Sequence, residues 1–443
     1  MNDKLIDATQ PYSGYLRKPA TQENVELTHV DKGTPCGEYL RRFWQPVAMS
    51  SELTDIPVAV DLLCEKLVLF RDKSGRLGLL DRHCSHRGTS LEFGLIREQG
   101  LQCCYHGWHY DVDGRILDIP GVPEGEDYRK TFCHGAYPVR EFHGIVFAYL
   151  GPPEKIPEFP VYDFLAFPEQ DLHPVRWDSP CNWLQVRENT QDSIHTSFLH
   201  TMFGVPQFGP WYYQLPVIQW TETPVGQVTV TTRDTHGRLY ARVNEIILPN
   251  FARVPEGHSA GGDKSGSYMP SPRGRGMSLW VIPKDNVNCS MIGWFHFTPE
   301  QSPELRAWIL KNTSLGQYED RPLEERKRYP GDYDAWVSQG KISIQANEHL
   351  CKSDGAIALY RVQLRKGIRA VQEGKDPKGV VRGAHKPIQT YANNMFEAGN
   401  AGKQEDDAKQ KMLFDFGQRA MKRTLDCEFD VSGNSTETKA AGD

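Results

Sequence analysis

Apolar residues in the first third of the chain come in short alternating runs separated by glycine, the spacing of strands that bury one face. Leu67-Val68-Leu69-Phe70 and Leu77-Gly78-Leu79-Leu80 read as two such strands, and Gly144-Ile145-Val146-Phe147-Ala148-Tyr149-Leu150 as a third, strongly apolar one. The pattern runs from Phe43-Trp44-Gln45-Pro46 to Gly151-Pro152-Pro153. It predicts an all-β domain over 36–155, after a polar lead-in over 1–35. Pro152, Pro153, Pro157 and Pro160 then read as a stiff linker.

The next stretch, 156–427, mixes longer strands with helices. Gln227–Thr232 and Ser290–Phe297 read as sheet. From Asp354 to Gly374 the residues Ile357, Tyr360, Leu364, Ile368 and Val371 recur at helical spacing, and Gly374 supplies the stop. His258–Gly276, rich in Gly, Ser and Pro, reads as a disordered insertion or a mobile lid, with disorder favoured, and 428–443 as a disordered tail. The fold class is α+β, without internal repeats.

Composition narrows the function. A chain of 443 residues is long enough for two or three domains, and its net charge of −6 is spread out, with no block suited to nucleic acid or a membrane surface. No run of about twenty apolar residues occurs, and Met1-Asn2-Asp3-Lys4-Leu5-Ile6-Asp7 lacks a signal peptide's apolar stretch. A soluble, cytoplasmic protein is expected, its ten cysteines reduced or holding a cluster. Arg273-Gly274-Arg275-Gly276 lies in a polar loop and opens no helix, so no dinucleotide fingerprint is present. Hydride chemistry, where needed, falls to a separate protein.

Cys84-Ser85-His86 and Cys103-Cys104-Tyr105-His106 form a C-x-H-x16-C-x2-H pattern. With 10 Cys and 15 His in 443 residues, chance supplies roughly 3 in 10,000 such patterns. Two thiolates and two imidazoles are the ligands of a Rieske [2Fe-2S] cluster, whose potential lies at about −150 to +300 mV because histidines replace two charged thiolates. A Cys2His2 zinc site uses the same ligands, but zinc fingers usually place both cysteines before both histidines. Either Cys103 or Cys104 can be the second thiolate. The two-residue spacing to His106 favours Cys103, which leaves Cys104 as a small packed side chain. Gly88 and Gly107 let the backbone approach the cluster closely.

Arg82-His83-Cys84-Ser85-His86-Arg87-Gly88 with Cys103-Cys104-Tyr105-His106-Gly107-Trp108 resembles the cluster loops of Rieske non-haem iron oxygenases, although Cys104 stands where that family commonly has proline. Further on, Asp192-Ser193-Ile194-His195 and His200 make a D-x2-H-x4-H pattern. Two imidazoles and a distant carboxylate form the facial triad of non-haem Fe(II). Two histidines five apart are common by themselves, and the upstream cluster gives this pair its weight. On a regular helix His195 and His200 would lie about 140° apart, so joint ligation requires a distortion near Thr196–Leu199.

The resemblance extends over most of residues 30–375 and is to the phthalate-dioxygenase-like branch. That branch places its ligand aspartate six residues before Ser-Gln-Gly, here Ser338-Gln339-Gly340, which implies Asp332, with Asp334 as runner-up. It implies an antiparallel, helix-grip-like catalytic domain. It also implies that Asp192 bridges His106 of one subunit and His195 of another in a homotrimer or stacked trimers; the plainer role is to orient His195 within its own subunit. Electrons would pass from NADH through a separate NAD(P)H-dependent reductase, with or without a ferredoxin, to one cluster and one mononuclear Fe(II) per chain. The expected reaction is O2-dependent hydroxylation or O-demethylation of a small carboxylated or phenolic aromatic. The alternative is a Rieske electron carrier or redox sensor without oxygenase activity, but nearly 300 residues after the cluster domain exceed what a carrier needs.

Overall fold

The structure, a computed structural model, describes residues 11–123, 128–166, 171–204, 207–208, 210–235, 237–255, 276–297, 301–383, 386–399 and 405–426. Three small antiparallel sheets form the N-terminal half. Val58–Leu62, Glu65–Arg71, Leu77–Asp81 and Ala136–Tyr137 make a four-stranded sheet. Gln45–Met49, Ile145–Ala148 and Val139–Phe142 make a second. Four strands of two or three residues, between Leu95 and Asp118, make the third. Strands this short hold together because the loops they carry share one apolar floor, which includes Phe70, Leu91, Leu101 and Tyr110, all fully buried.

The C-terminal half is an eight-stranded antiparallel sheet in the order Leu172–Ser179, Cys289–His296, Gly276–Pro283, Phe251–Pro255, Arg238–Ile247, Gly226–Asp234, Val217–Glu222, with Asn393–Ala398 paired to Arg238–Val243. The strands Gly226–Asp234 and Cys289–His296 are buried along their whole length, which is why they read as near-continuous apolar and Thr-rich runs. The long helix spans Gly355–Gln372, and Gly374, at φ +75°, ends it. A second helix, Asp406–Asp426, was not visible in the sequence pattern because its stripe is narrow; Leu413, Phe416 and Ala420 seat it against the sheet. Among the described residues no helix is long and apolar enough to cross a membrane.

Two expectations change. The segment up to residue 35 is not simply a polar lead-in: Val25–Thr28 is a helical turn, Pro35 opens the helix Pro35–Leu40, and Leu27 and Val30 are fully buried in the same core as Cys36, Tyr39 and Leu40. Leu27 and Val30 are too few to register as a periodic element in the sequence. The proline-rich stretch does not hold two bodies apart either. Phe159 is buried against Trp44 and Phe147, and Phe147 packs edge-on against Trp280 of the large sheet at 5.5 Å. Trp294 Nε1 also donates to the His143 carbonyl at 2.8 Å, so one apolar core runs through both halves. The expectation for His258–Gly276, all but its last residue, and that for 428–443 lie outside the described residues.

Gly367 is the contact on which the N-terminal helix closes against the long one, because a Cβ there would sit 2.5 Å from the buried Tyr39 ring. Gly367→Ala gains about 1 kcal/mol of helix propensity but over-packs the core at about 1–3 kcal/mol. The expected outcome is a lower melting temperature; an unchanged or raised one would show that Tyr39 can yield.

Candidate metal centres

Two loops of similar build carry the first centre. In one, Gly88 N–H donates to the Cys84 carbonyl at 2.8 Å and Cys84 N–H to Thr89 O at 2.9 Å; in the other, Gly107 N–H donates to Cys103 O at 3.1 Å and Cys103 N–H to Trp108 O at 2.8 Å. Gly88 (φ +76°) and Gly107 (φ +75°) turn the chain where a side chain would be strained. Each loop buries its cysteine and projects its histidine outward. Cys84 and Cys103 are almost fully buried, whereas His86 is exposed and His106 half-buried, their ring centres 4.5 Å apart. His86 also stacks on Trp108 with planes 2° apart. Cys104 is exposed, which corrects its expected packing: the turn points successive side chains in opposite directions, so Cys103 alone of the two faces the interior beside Cys84. Two buried sulfurs below two outward imidazoles fit a two-iron cluster held by one residue pair from each loop.

Two supports of this centre were not legible in the sequence. The Tyr110 hydroxyl lies 3.0 Å from Cys84 Sγ; burial, then the nearby thiol, pushes the phenol's pKa up, which keeps it protonated and able to donate to a thiolate. His134, buried and held neutral by that burial, donates from Nε2 to Asp81 O at 2.8 Å. Its Nδ1 is thereby left to accept from Ser85 Oγ at 2.7 Å, which pins the first loop.

The second centre is assembled from three separate stretches. After the helix Trp183–Glu188 and a tight turn over Asn189–Gln191, Asp192 leaves helical geometry; its Oδ1 accepts the N–H of Ile194 at 3.0 Å and of His195 at 3.3 Å. Asp192 is therefore a cap and does not share a regular helix with His195. The chain then forms one helical turn, His195–Ser197, and a π-helical turn, Phe198–Met202, closed by Phe203 N–H to Phe198 O at 2.8 Å. This wide turn is the expected distortion. It brings the rings of His195 and His200 to 5.0 Å between centres.

Asp332, at the start of the helix Asp332–Val337, closes the group. Its Oδ1 lies 3.2 Å from His200 Nε2 and 3.7 Å from His195 Nε2, and one ligand atom from each residue falls within 4.8 Å of the others. That spacing suits a single ion bonded at about 2.1 Å to each. Asp334 points elsewhere, pairing with Arg326 at 2.7 Å and accepting Gly331 N–H at 3.0 Å, so it is a helix cap and not a member of the group. Two amides missed in the sequence hold Asp332. Asn189 Nδ2 donates to Oδ1 at 3.1 Å and Gln317 Nε2 to Oδ2 at 2.6 Å.

Burial alone would raise the pKa of Asp332, but His200 and His195 hold it well below the carboxylate range. Burial would likewise lower the pKa of His195, yet the nearby carboxylates of Asp192 and Asp332 hold it above the ordinary imidazole value.

The group opens on two spaces. On one side is a cavity of about 110 Å³ with Phe208, Met277, Phe295 and Ile309 as apolar walls and Arg242 and Asn244 as polar ones. On the other, Asp192 and His195 edge a hollow of about 370 Å³, beside Trp336 and the buried pair of Arg361 with Glu188, which Glu348 extends. Asp192 Oδ2 stands 3.7 Å from His195 Nδ1, which has no hydrogen-bond partner among the described residues.

The Rieske [2Fe-2S] domain family matches residues 43–159. The tert-butanol monooxygenase / tert-amyl alcohol desaturase oxygenase subunit of Aquincola tertiaricarbonis is 40% identical over 84% of this chain and 82% of its own length. The phenoxybenzoate dioxygenase subunit alpha of Ectopseudomonas oleovorans is 37% identical over 85% of this chain and 92% of its own. Among solved structures, NdmA of Pseudomonas putida CBB5 with caffeine superposes with a TM-score of 0.60 at 20% identity, over 81% of this chain and 100% of that one. The similarity to oxygenase subunits covers the second centre as well as the cluster loops, which removes the electron-carrier alternative.

Two outcomes are expected from these geometries. If Cys84 holds the cluster, Tyr110→Phe, which removes the 3.0 Å contact to the Cys84 sulfur, should lower the midpoint potential in a redox titration, without loss of the visible spectrum. A second set of measurements concerns pH. The raised His195 contributes stability to the metal-free protein below its unfolded pKa and loses it as pH rises through the folded value; the depressed Asp332 contributes above its unfolded pKa and loses this as pH falls through the folded value. Divalent metal binding requires neutral imidazole, so affinity should climb from about pH 6 until the raised His195 pKa is passed, with proton release visible by calorimetry in two buffers. A flat profile over that range would remove His195 from the ligand set.

Proposed function

The chain belongs to the phthalate-dioxygenase-like Rieske non-haem iron oxygenases, as an oxygenase subunit, and we propose that it hydroxylates or O-demethylates a small aromatic substrate carrying an anionic group. In this reading Cys84, His86, Cys103 and His106 hold one [2Fe-2S] cluster, and His195, His200 and Asp332 hold one Fe(II). Bound there, the two groups supply single electrons and O2 activation. A separate NAD(P)H-dependent reductase, directly or through a ferredoxin, would deliver the electrons.

The observation that carries the substrate class is Arg242. It is 4% exposed and lines the cavity with the three candidate iron ligands. Its Nη2 donates to Pro255 O at 2.7 Å, its guanidinium lies 5.0 Å from the Phe208 ring centre, and it makes no ion pair among the described residues. Its Nε is buried without an acceptor among them. A buried cation without a counter-charge is costly, and a carboxylate or phenolate in the cavity would satisfy it. The apolar walls would take the ring and exclude water, with the reacting carbon turned toward His200 and Asp332.

Asp192 supports an assembly of subunits. Its half-exposed carboxylate borders the open hollow behind His195, and His86 and His106 stand outward at the cluster tip. A neighbouring subunit's cluster histidine seated in that hollow would share Asp192 with His195, which suits a homotrimer or stacked trimers. The carboxylate would then fix both imidazole tautomers and link proton to electron movement.

The test is turnover of the purified protein with NADH and a reductase. The panel contains aromatic acids with and without methoxy groups, with tert-butanol as the neutral member, and the readouts are formaldehyde and product mass. Formaldehyde or oxygenated product from the acids, with Arg242→Leu weakening kcat/KM for them about 10- to 100-fold and leaving the cluster spectrum intact, is expected. Turnover of tert-butanol alone, or an Arg242→Leu variant that handles the acids as well as wild type, sinks the anionic-substrate reading.

A further inference from the structure

We infer that Gln317 is a positioning residue that restricts Asp332 to iron ligation through one oxygen. The inference rests on the reading that His195, His200 and Asp332 hold the metal.

The two carboxylate oxygens of Asp332 are placed differently. Oδ1 faces both imidazoles, at 3.2 and 3.7 Å, and takes only the longer amide bond, 3.1 Å from Asn189. Oδ2 takes the 2.6 Å bond from Gln317 Nε2 and makes no close approach to either ring among the described contacts. Each carboxylate oxygen has two lone-pair sites, so Oδ1 can keep Asn189 and still ligate. For Oδ2 to turn onto the same ion, the carboxylate must rotate away from a short amide bond in a site that is 5% exposed, where no solvent replaces the lost donor cheaply.

The donor is itself held. Gln317 N–H donates to Ser314 O at 3.1 Å, and Gly316 N–H to Asp320 Oδ2 at 2.8 Å. Gly316 O accepts Tyr333 N–H at 2.9 Å, and Gly331 packs so tightly on Gly316 that a Cβ there would fall 2.4 Å from the Gly316 Cα. Gln207 completes the tie: its N–H donates to His200 O at 2.9 Å and its Nε2 to Leu315 O at 2.8 Å. The Gln317 turn, the start of the Asp332 helix and the chain after His200 thus form one braced unit. A carboxylate limited to one oxygen leaves a six-coordinate ion three positions for other partners, and a two-oxygen carboxylate leaves two.

The experiment is the crystal structure of the iron-loaded full-length protein, wild type and Gln317→Met, with the iron located by its anomalous signal. The expected wild type has Asp332 Oδ1 on iron and Oδ2 still bonded to Gln317. In Gln317→Met, Oδ2 should shift to about 2.2 Å from the iron. Gln317→Ala serves if the methionine variant does not fold, and the wild-type structure decides alone if neither does. Both oxygens on iron in wild type, or one-oxygen ligation retained in a folded variant, overturns the inference and leaves the three ligands in place. Iron found away from His195, His200 and Asp332 overturns the ligand assignment on which it rests.

Discussion

The catalytic half is organised around a buried negative charge. An ionised carboxylate removed from water is tolerated only with opposite charge or several donors around it, and Asp332 has two imidazoles and two amides. Those four partners come from the stretch Asn189–His200 and from the turn at Gln317, more than a hundred residues apart. Satisfying one side chain therefore fixes how the π-helical turn, the Gln317 turn and the Asp332 helix meet. The cavity is what remains between them and the large sheet.

The π-helical turn is the local counterpart of that constraint. His195 and His200 stand five positions apart, and a regular helix would aim them apart. The wide turn over Phe198–Met202 is less favourable than an α-helix by itself. It is supported by Thr201 Oγ1 donating to Thr196 O at 2.9 Å and by Arg233 donating to Thr196 Oγ1 at 3.0 Å. Polar side chains within and around the turn, not its apolar residues, supply bonds that a straight helix would have made along its backbone.

Much of this was readable from residue spacing. The paired Cys/His loops, the two histidines with their required distortion, the long helix and the antiparallel strands each rest on a repeat or motif local to a few residues. What escaped the sequence was non-local. Gln317, Asn189 and Arg242 belong to no motif and acquire meaning only from what lies across the cavity. The helix Asp406–Asp426 hid behind a narrow apolar stripe, and Tyr39 is buried against Gly367 of the long helix, far away in the chain. Cys104 was misplaced because the direction of a side chain in a turn depends on dihedral angles, which composition does not reveal.

The apolar core joining the two halves has a mechanical consequence. Phe147 against Trp280, Trp294 bonded to the His143 carbonyl, the Arg176–Glu52 ion pair at 3.1 Å and Leu63 N–H on Pro283 O at 2.9 Å tie the cluster loops' support to the large sheet at four places. Bodies fastened in this way do not swing on a hinge. The separation between the two candidate centres within a chain is then set by the fold. A joint of this kind resists movement of one half against the other.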